Sequence, residues 1–254
     1  MTSRIRIGTI LAAAVLTVLT APVQSWAEMT DPAEILREAE DRHSADTAVS
    51  EISMVVYPDL HNKDDFRQMR IMSYGRGTTD SYMEFITPRA IKGLRMLSLD
   101  QDQWIFFPST GRVRKIAAKS KSSSVKGVGG DFSYEDFSGG SMEEKYNLQL
   151  VGNNPENWII EGIAKNEDSA YDRILVTVEK ERVMMMKVEY YTEEDGHLKD
   201  LVIQKVGYLG GREVPIQMVM VNRKKESMTV IITHSAEYDV LIDDRYFNPT
   251  RFYR

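Results

Sequence analysis

Cysteine is absent from this 254-residue chain. Its absence rules out a disulfide framework, a thiolate metal site and a cysteine nucleophile. If such a chain is exported, its hydrophobic core alone must hold the fold. That requirement favours a bacterial envelope protein over a small extracellular scaffold.

Histidine is scarce, and the residues His43, His61, His197 and His234 are too scattered for a zinc-binding motif. The sequence has no G-x-S-x-G nucleophile elbow, and the glycines of "VKGVGGDF" lack the spacing of either phosphate-binding glycine motif. We therefore predict no catalytic residue, no cofactor and no metal. A pair of carboxylates brought together by folding stays open, since sequence does not reveal it.

Positive charge is in the minority, with 32 Lys and Arg against 38 Asp and Glu and a net charge of −6. An acidic chain is a poor partner for nucleic acid. The exception lies between Asp102 and Asp131, where no acidic residue occurs. We expect this stretch to form a positive patch that binds lipid headgroups or an acidic partner, or else a solvated hairpin. Its basic residues are Arg112, Arg114, Lys115, Lys119, Lys121 and Lys126.

Long hydrophobic runs are also missing, apart from residues 8–21 near the N-terminus. That run is shorter than the roughly 20 residues of a membrane-spanning helix. Two arginines precede it, and the small-residue pattern "SWA" follows it, which is typical of a secretory signal peptide cleaved after Ala27. The pattern predicts a signal peptide at 1–27 and one domain at 28–254. With no cysteine for lipidation, the exported product is expected to be soluble and periplasmic.

The exported part begins with one predicted helix, which has Asp31 as its cap and Pro32 in its first turn. The hydrophobic period then changes to two in runs such as "DRILVTVEK" and "EVPIQMVMVN". Turn signals at Asp195-Gly196 and Gly210-Gly211 separate some of these runs. About ten short strands with few helices predict one antiparallel sheet, strongly curved or nearly closed.

Some strands are apolar on both faces, such as the one that carries Trp104 and Phe106 on one side and Ile105 and Phe107 on the other. A sheet with one wet face does not have this pattern. We expect the N-terminal helix and the segment 119–137 to cover the sheet.

Segment 119–137 reads "KSKSSSVKGVGGDFSYEDF". We interpret it as a lid that is mobile at its glycines and inserts Phe132, Tyr134 and Phe137 into a cavity. Its acidic side chains are expected to stay in water; these are Asp131, Glu135 and Asp136. The alternative is that the aromatics only anchor a long connection to the core.

The stretch "FITPRAIKGLRMLSLDQDQWIFFPSTGRVRKIAAKSKSSSVKGVGGDFSYEDF" resembles the LolA-like outer-membrane lipoprotein-sorting protein family. The matching elements are a Trp-x-x-x-Pro strand at 104–108, an Arg-x-Arg-Lys-Ile hairpin at 112–116 and an Asp-Phe-Ser-Tyr-Glu-Asp segment at 131–136. A looser likeness continues to "DDRYFNPTRF". The resemblance implies one antiparallel sheet curled into an incomplete barrel, with helices closing its mouth over an apolar cavity and with no catalytic residues.

On this fold, the candidate cavity and lid residues are apolar side chains of the strands and of segment 119–137. They are Met54, Val56, Phe85, Leu94, Met96, Trp104, Phe106, Phe132, Tyr134, Phe137, Met184, Met186 and Val188. Methionine is well represented in the chain, with 14 residues, and its flexible thioether suits a surface that accepts ligands of varied shape or simply fills a core.

The resemblance implies a monomeric periplasmic carrier that binds lipoprotein acyl chains, lipids or another amphiphile and delivers them between envelope components. An inner-membrane transporter or an outer-membrane acceptor would be its partner, and nucleic acid would not. The alternative is an envelope sensor with the same half-barrel, which binds a regulator's periplasmic domain.

Overall fold

A computed structural model describes residues 29–254. The predicted signal peptide at 1–27 lies outside this part of the chain. Helix α1 spans Pro32–Arg42, and the Asp31 carboxylate caps it by accepting a hydrogen bond from the Ala33 N–H at 3.0 Å, as the sequence predicts. No helix of the described part has the length and apolar character to cross a bilayer. The buried face of α1 consists of Ile35, Leu36 and Ala39.

The sheet has thirteen antiparallel strands, three more than the roughly ten that the sequence predicts. They are β1 (Thr47–Tyr57), β2 (Arg67–Arg76), β3 (Asp80–Thr87), β4 (Arg95–Leu99), β5 (Asp102–Phe107), β6 (Arg112–Lys115), β7 (Tyr146–Asn153), β8 (Asn157–Ala164), β9 (Arg173–Glu179), β10 (Met184–Thr192), β11 (Gly196–Leu209), β12 (Arg212–Asn222) and β13 (Ser227–Tyr238). A short helix, α2 (Met142–Lys145), precedes β7.

Strand order is β6-β5-β4-β3-β2-β1-β13-β12-β11-β10-β9-β8-β7, so β1 pairs with the last strand and the two halves of the chain join in one continuous sheet. Strands β6 and β7 are the two edges, and the sheet is not closed into a barrel. The predicted turns are present, with Gly196 at φ +64° before β11 and Gly210-Gly211 between β11 and β12. The incomplete antiparallel barrel predicted from the sequence is confirmed.

The inner face of the sheet carries α1, α2 and a long connection, residues 116–141, which we call the strap. Two buried clusters lie on this face, one under the strap and one under α1, and Tyr190 and Leu201 pack against both. The outer face of β3–β5 is covered instead by the C-terminal segment, through Phe247 and Phe252.

Trp104 and Phe106 belong to the outer face, where they pack against the cluster around Tyr82, Leu97 and the C-terminal segment. The prediction that these two side chains line an inner cavity is therefore wrong. The predicted alternation of the two faces along β5 is confirmed, because Ile105 and Phe107 contact the inner cluster. A period of two separates the faces of a strand but does not say which face points inward.

Candidate apolar binding pocket

A pocket of about 260 Å³ lies between α1 and the inner face of β10, β11 and β12. Five methionines contribute to its wall, three of them consecutive residues of β10. The methionines are Met142, Met184, Met185, Met186 and Met218, and the other lining residues are Ala39, His43, Lys187, Val188, Tyr190, Leu201, Ile203 and Pro215.

Two irregularities in the strands shape this wall. The pairing of β10 with β9 shifts between Met185 and Lys187, so strict alternation fails and all three consecutive methionines reach the pocket. The pairing of β11 with β12 shifts twice around Lys205, next to Pro215. Proline lacks the N–H of a regular ladder and is tolerated at such a bulge.

His43, the C-cap of α1, places a polar atom at the pocket wall. Its Nδ1 lies 3.4 Å from the backbone oxygen of Glu213, and its Nε2 is buried without a partner in the described part of the chain. When Nδ1 carries the proton and donates to that oxygen, Nε2 is left as an acceptor on the pocket side. On the opposite side, burial raises the pKa of Tyr190 well above its usual value, and the negative charge of Asp136 adds to this effect.

The strap fills the neighbouring part of the inner face. Val125, Val128, Phe132 and Tyr134 are buried against β1–β5, β12 and β13, and the rings of Phe132 and Phe137 lie 5.4 Å apart. No strap side chain lines the 260 Å³ pocket. In this structure the aromatic residues pack in the core beside the pocket, as the alternative interpretation of the segment expects.

A buried carboxylate fixes the middle of the strap. Asp131 is 1 % exposed and accepts hydrogen bonds from the hydroxyls of Ser227 at 2.5 Å and Thr229 at 2.8 Å. Gly130 has φ +83°, and a Cβ there would lie 2.9 Å from Thr229 Oγ1 and 3.0 Å from Val56 Cγ2. Glycine thus permits a close approach to β1 and β13 at this position.

A second buried carboxylate fixes the end of the strap. Asp136 accepts hydrogen bonds from the Tyr171 hydroxyl at 2.7 Å and the Ser133 N–H at 2.6 Å, and it pairs with Lys199 at 3.4 Å. Burial, with the Asp136 charge as a further cause, raises the pKa of Tyr171 well above its usual value. The expectation that the acidic side chains stay in water is wrong, and it fails for Glu135 too, whose side chain is 12 % exposed and paired with Lys145. The cause is tertiary, since Ser227, Thr229 and Lys199 come from β13 and β11 and Tyr171 comes from the β8–β9 loop.

The predicted cavity residues fall into two groups on the inner face. Met184, Met186 and Val188 line the pocket under α1. Met54, Val56, Phe85, Leu94 and Met96 lie in the core under the strap, together with Phe132, Tyr134 and Phe137.

Sequence reasoning missed most of the residues that α1, α2, β11 and β12 give to the pocket. Leu201 and Ile203 alternate along β11 and could have been found by that signal, and Met218 had been noted only as part of the methionine content. Ala39 and His43 lie on one face of α1 at helical spacing, which indicates contact with the sheet but not with a pocket, and Met142 had no such signal.

The predicted basic residues follow the edge strand β6 and the first half of the strap. Lys115 is paired with Asp102 at 2.7 Å, so it contributes little net charge. Arg112, Arg114 and Lys126 are exposed, and Lys121 is partly exposed. Lys119 belongs to a single 3₁₀ turn, Ala118–Ser120.

On the outer face, Glu189, His197 and Asp200 have their donor atoms within 4.8 Å of one another, which is a possible metal-binding arrangement. Lys187 already lies 2.6 Å from Glu189 and 3.3 Å from Asp200, and Arg223 lies 2.7 Å from Asp200. Because these cations occupy and neutralise the carboxylates, the cluster is an ion-pair network and a poor metal site.

Comparisons with known proteins agree with this architecture. A family model described as "Uncharacterized protein" matches residues 77–254, which is most of the chain. A search of curated proteins gave no match.

Three solved structures share the fold over nearly their whole lengths. A DUF1329 family protein from Desulfovibrio piger has a TM-score of 0.75 and 22% identity and covers 86% of this chain and 98% of its own. A domain assigned to the outer membrane lipoprotein-sorting proteins of Vibrio parahaemolyticus has a TM-score of 0.75 and 24% identity, with 90% and 100% covered. A LolA superfamily protein from Nitrosomonas europaea has a TM-score of 0.70 and 18% identity, with 87% and 98% covered. The chain therefore belongs to the family of that model, and it shares the LolA-like fold of these three structures.

Proposed function

We propose that the protein is a periplasmic carrier that holds the apolar part of a lipid, a lipoprotein or another amphiphile in the methionine-lined pocket and releases it to an acceptor in the envelope. The observation that carries this proposal is the composition of the pocket wall. Five methionines together with Val188, Leu201 and Ile203 form an almost continuous apolar lining on the inner face of the sheet.

The energetics favour such a pocket as the resting place of an acyl group. Each buried methylene contributes about 0.8 kcal/mol, so a long chain leaves a membrane only if another apolar surface receives it. Methionine side chains are unbranched and flexible, so the wall can adapt to chains of different length.

The size of the pocket limits what it accepts in this conformation. Its volume of about 260 Å³ lies just below the range of about 300–1,000 Å³ for pockets that hold drug-sized ligands. One apolar chain is a better match than the several chains of a fully acylated lipoprotein. A larger cargo would require α1 to move away from β10.

Native mass spectrometry tests the proposal directly. The protein is expressed with its own N-terminal region, purified from the periplasm without detergent, and measured under native and denaturing conditions. We expect an excess mass that disappears on denaturation, with lipid recovered in the organic extract. A periplasmic product that starts after Ala27 would also support the predicted export.

A matched pair of variants locates the binding site. Met218 lines the pocket, whereas Met228 lies on the outer face, since it alternates with the inward-facing Thr229. Met218→Lys places a charge in the apolar wall, and we expect it to weaken binding of a fluorescent fatty acid by about tenfold or more. Met228→Lys should bind normally. Equal affinity of both variants, with both folded by circular dichroism, would exclude this pocket as the site.

Delivery requires an acceptor as well as a pocket. The candidates are an inner-membrane transporter or an outer-membrane protein, and a transfer assay between donor and acceptor vesicles measures the step. We expect the wild-type protein to accelerate movement of a labelled lipid and Met218→Lys to lose that activity.

A further inference from the structure

Several cations surround the middle of the strap without acidic partners. Arg67 begins β2, Lys126 lies in the strap, and Lys225 lies in the turn between β12 and β13. None of the three is in an ion pair within the described part of the chain.

A cleft of about 240 Å³ brings two of these cations together. Arg67 and Lys225 line it with the Ser124 hydroxyl and the backbone of Gly129 and Gly130. The Lys225 Nζ lies 3.4 Å from Ser124 Oγ. The Arg67 guanidinium lies so close to the strap that a Cβ on Gly129 would be 2.8 Å from Arg67 Nη2. The backbone of Gly129 has φ +72°, which favours glycine at this position.

Asp131 is the acidic residue that lines the cleft. Its carboxylate, which belongs to a residue that is 1 % exposed, accepts hydrogen bonds from the hydroxyls of Ser227 and Thr229. The exposed charged side chains that line the cleft, Arg67 and Lys225, are both positive.

The geometry points to a binding site for a phosphate group, between the strap and the β12–β13 turn, formed by Arg67, Lys225 and Ser124. A guanidinium forms paired hydrogen bonds to phosphate oxygens, an ammonium adds a point charge, and a hydroxyl adds a third donor. The phosphate belongs either to a phospholipid headgroup or to a free phosphorylated molecule. This site is separate from the apolar pocket and does not depend on the proposed carrier function.

Two binding measurements separate the two sources of phosphate. Isothermal titration with inorganic phosphate detects a site for the free ion. Sedimentation with vesicles of phosphatidylglycerol, compared with vesicles of phosphatidylcholine, detects headgroup binding. Binding in the titration assigns a free phosphate ligand, and binding to phosphatidylglycerol vesicles alone assigns a headgroup.

Matched variants test the residues. Arg67→Gln and Lys225→Gln each remove a cation from the cleft, and we expect about tenfold weaker binding for each, as for the loss of one charge-assisted hydrogen bond. Arg70→Gln, on the same strand as Arg67, and Lys224→Gln, beside Lys225, remove the same charge from residues paired with Glu51 and Asp195. These two controls should bind as the wild type does.

Absence of binding in both measurements would overturn the assignment. It would also be overturned if the controls lost as much affinity as the cleft variants, since net charge alone would then explain the binding. Met218→Lys, the pocket variant, should bind phosphate as the wild type does. The phosphate site and the apolar pocket are therefore tested separately.

Discussion

The two halves of the inner face differ in what covers them. Under the strap, the sheet meets tightly packed aromatic and branched side chains, and buried carboxylates hold the strap in place. Under α1, the sheet meets a helix that contributes the small Ala39 to the wall of a pocket of about 260 Å³. One curved sheet therefore provides both a filled core and an apolar binding surface.

The difference shows how an open barrel can keep a pocket without collapsing. Both halves of its inner face contain a buried hydrophobic cluster that stabilises the fold, and the strap closes one of them. The other half can stay adaptable, because its methionines reorganise at small cost. In this arrangement the strap acts as a structural element beside the pocket, and α1 is the element that covers it.

Shortening an aromatic residue of the filled half should have the largest effect on stability. Phe132→Ala removes a ring that is 6 % exposed, and we expect the free energy of unfolding to fall by about 3–5 kcal/mol. Met186→Ala, in the pocket half, should cost about 1 kcal/mol, because Met186 borders space that is already empty. Urea unfolding measures both values. Equal losses would mean that the two halves are packed alike.

Removing the strap's central carboxylate should have an intermediate effect. Asp131→Asn keeps the shape of the side chain but removes an acceptor from the hydroxyls of Ser227 and Thr229, and we expect a loss of about 1–3 kcal/mol. Asp102→Asn is the control, since Asp102 forms an exposed ion pair with Lys115 that should contribute about 0–1 kcal/mol. A loss for Asp131→Asn no greater than for the control would show that the strap is held by its aromatics alone.

The smallest effect is expected at Glu40, on α1 close to α2. Burial raises the pKa of this carboxyl in the folded state. The contribution of Glu40 to the free energy of unfolding is therefore fully present below the unfolded-state pKa of about 4.3. It is lost as the pH rises through the folded-state pKa.

Glu40→Gln removes the charge while keeping an acceptor for the Met142 N–H. The variant should match the wild type at about pH 4 and be slightly more stable at pH 7. Urea unfolding at both pH values measures the difference. A variant less stable at pH 7 than the wild type would show that the Glu40 charge supports the packing of α1 on α2.

Local patterns were sufficient to predict much of the fold. The cap at Asp31, the change to a period of two and the glycine turns depend on neighbouring residues only, and each appears in the structure as expected. Which face of a strand points to the inside of the sheet was less predictable. Trp104 and Phe106 look like cavity residues in the sequence, but the C-terminal segment covers them on the outer face.

The candidate site was only partly predictable for the same reason. Met184, Met186 and Val188 could be named because one strand carries them, whereas Ala39 and His43 come from α1 and its C-cap and Met218 comes from β12. The phosphate cleft combines Lys225 and Arg67 with Ser124, and only Ser124 belongs to the stretch whose basic charge the sequence analysis had noted.

By itself, the sequence determined that this chain is a cysteine-free, mainly β protein with a helix before its first strand, because composition, period and turn residues are properties of the chain at short range. Only the tertiary structure decided that the strap is held by buried Asp131 and Asp136, and that the pocket lies under α1 instead. The physical reason is that burial, ion pairing and empty space depend on which distant strands meet, and the pairing of β1 with β13 sets that arrangement.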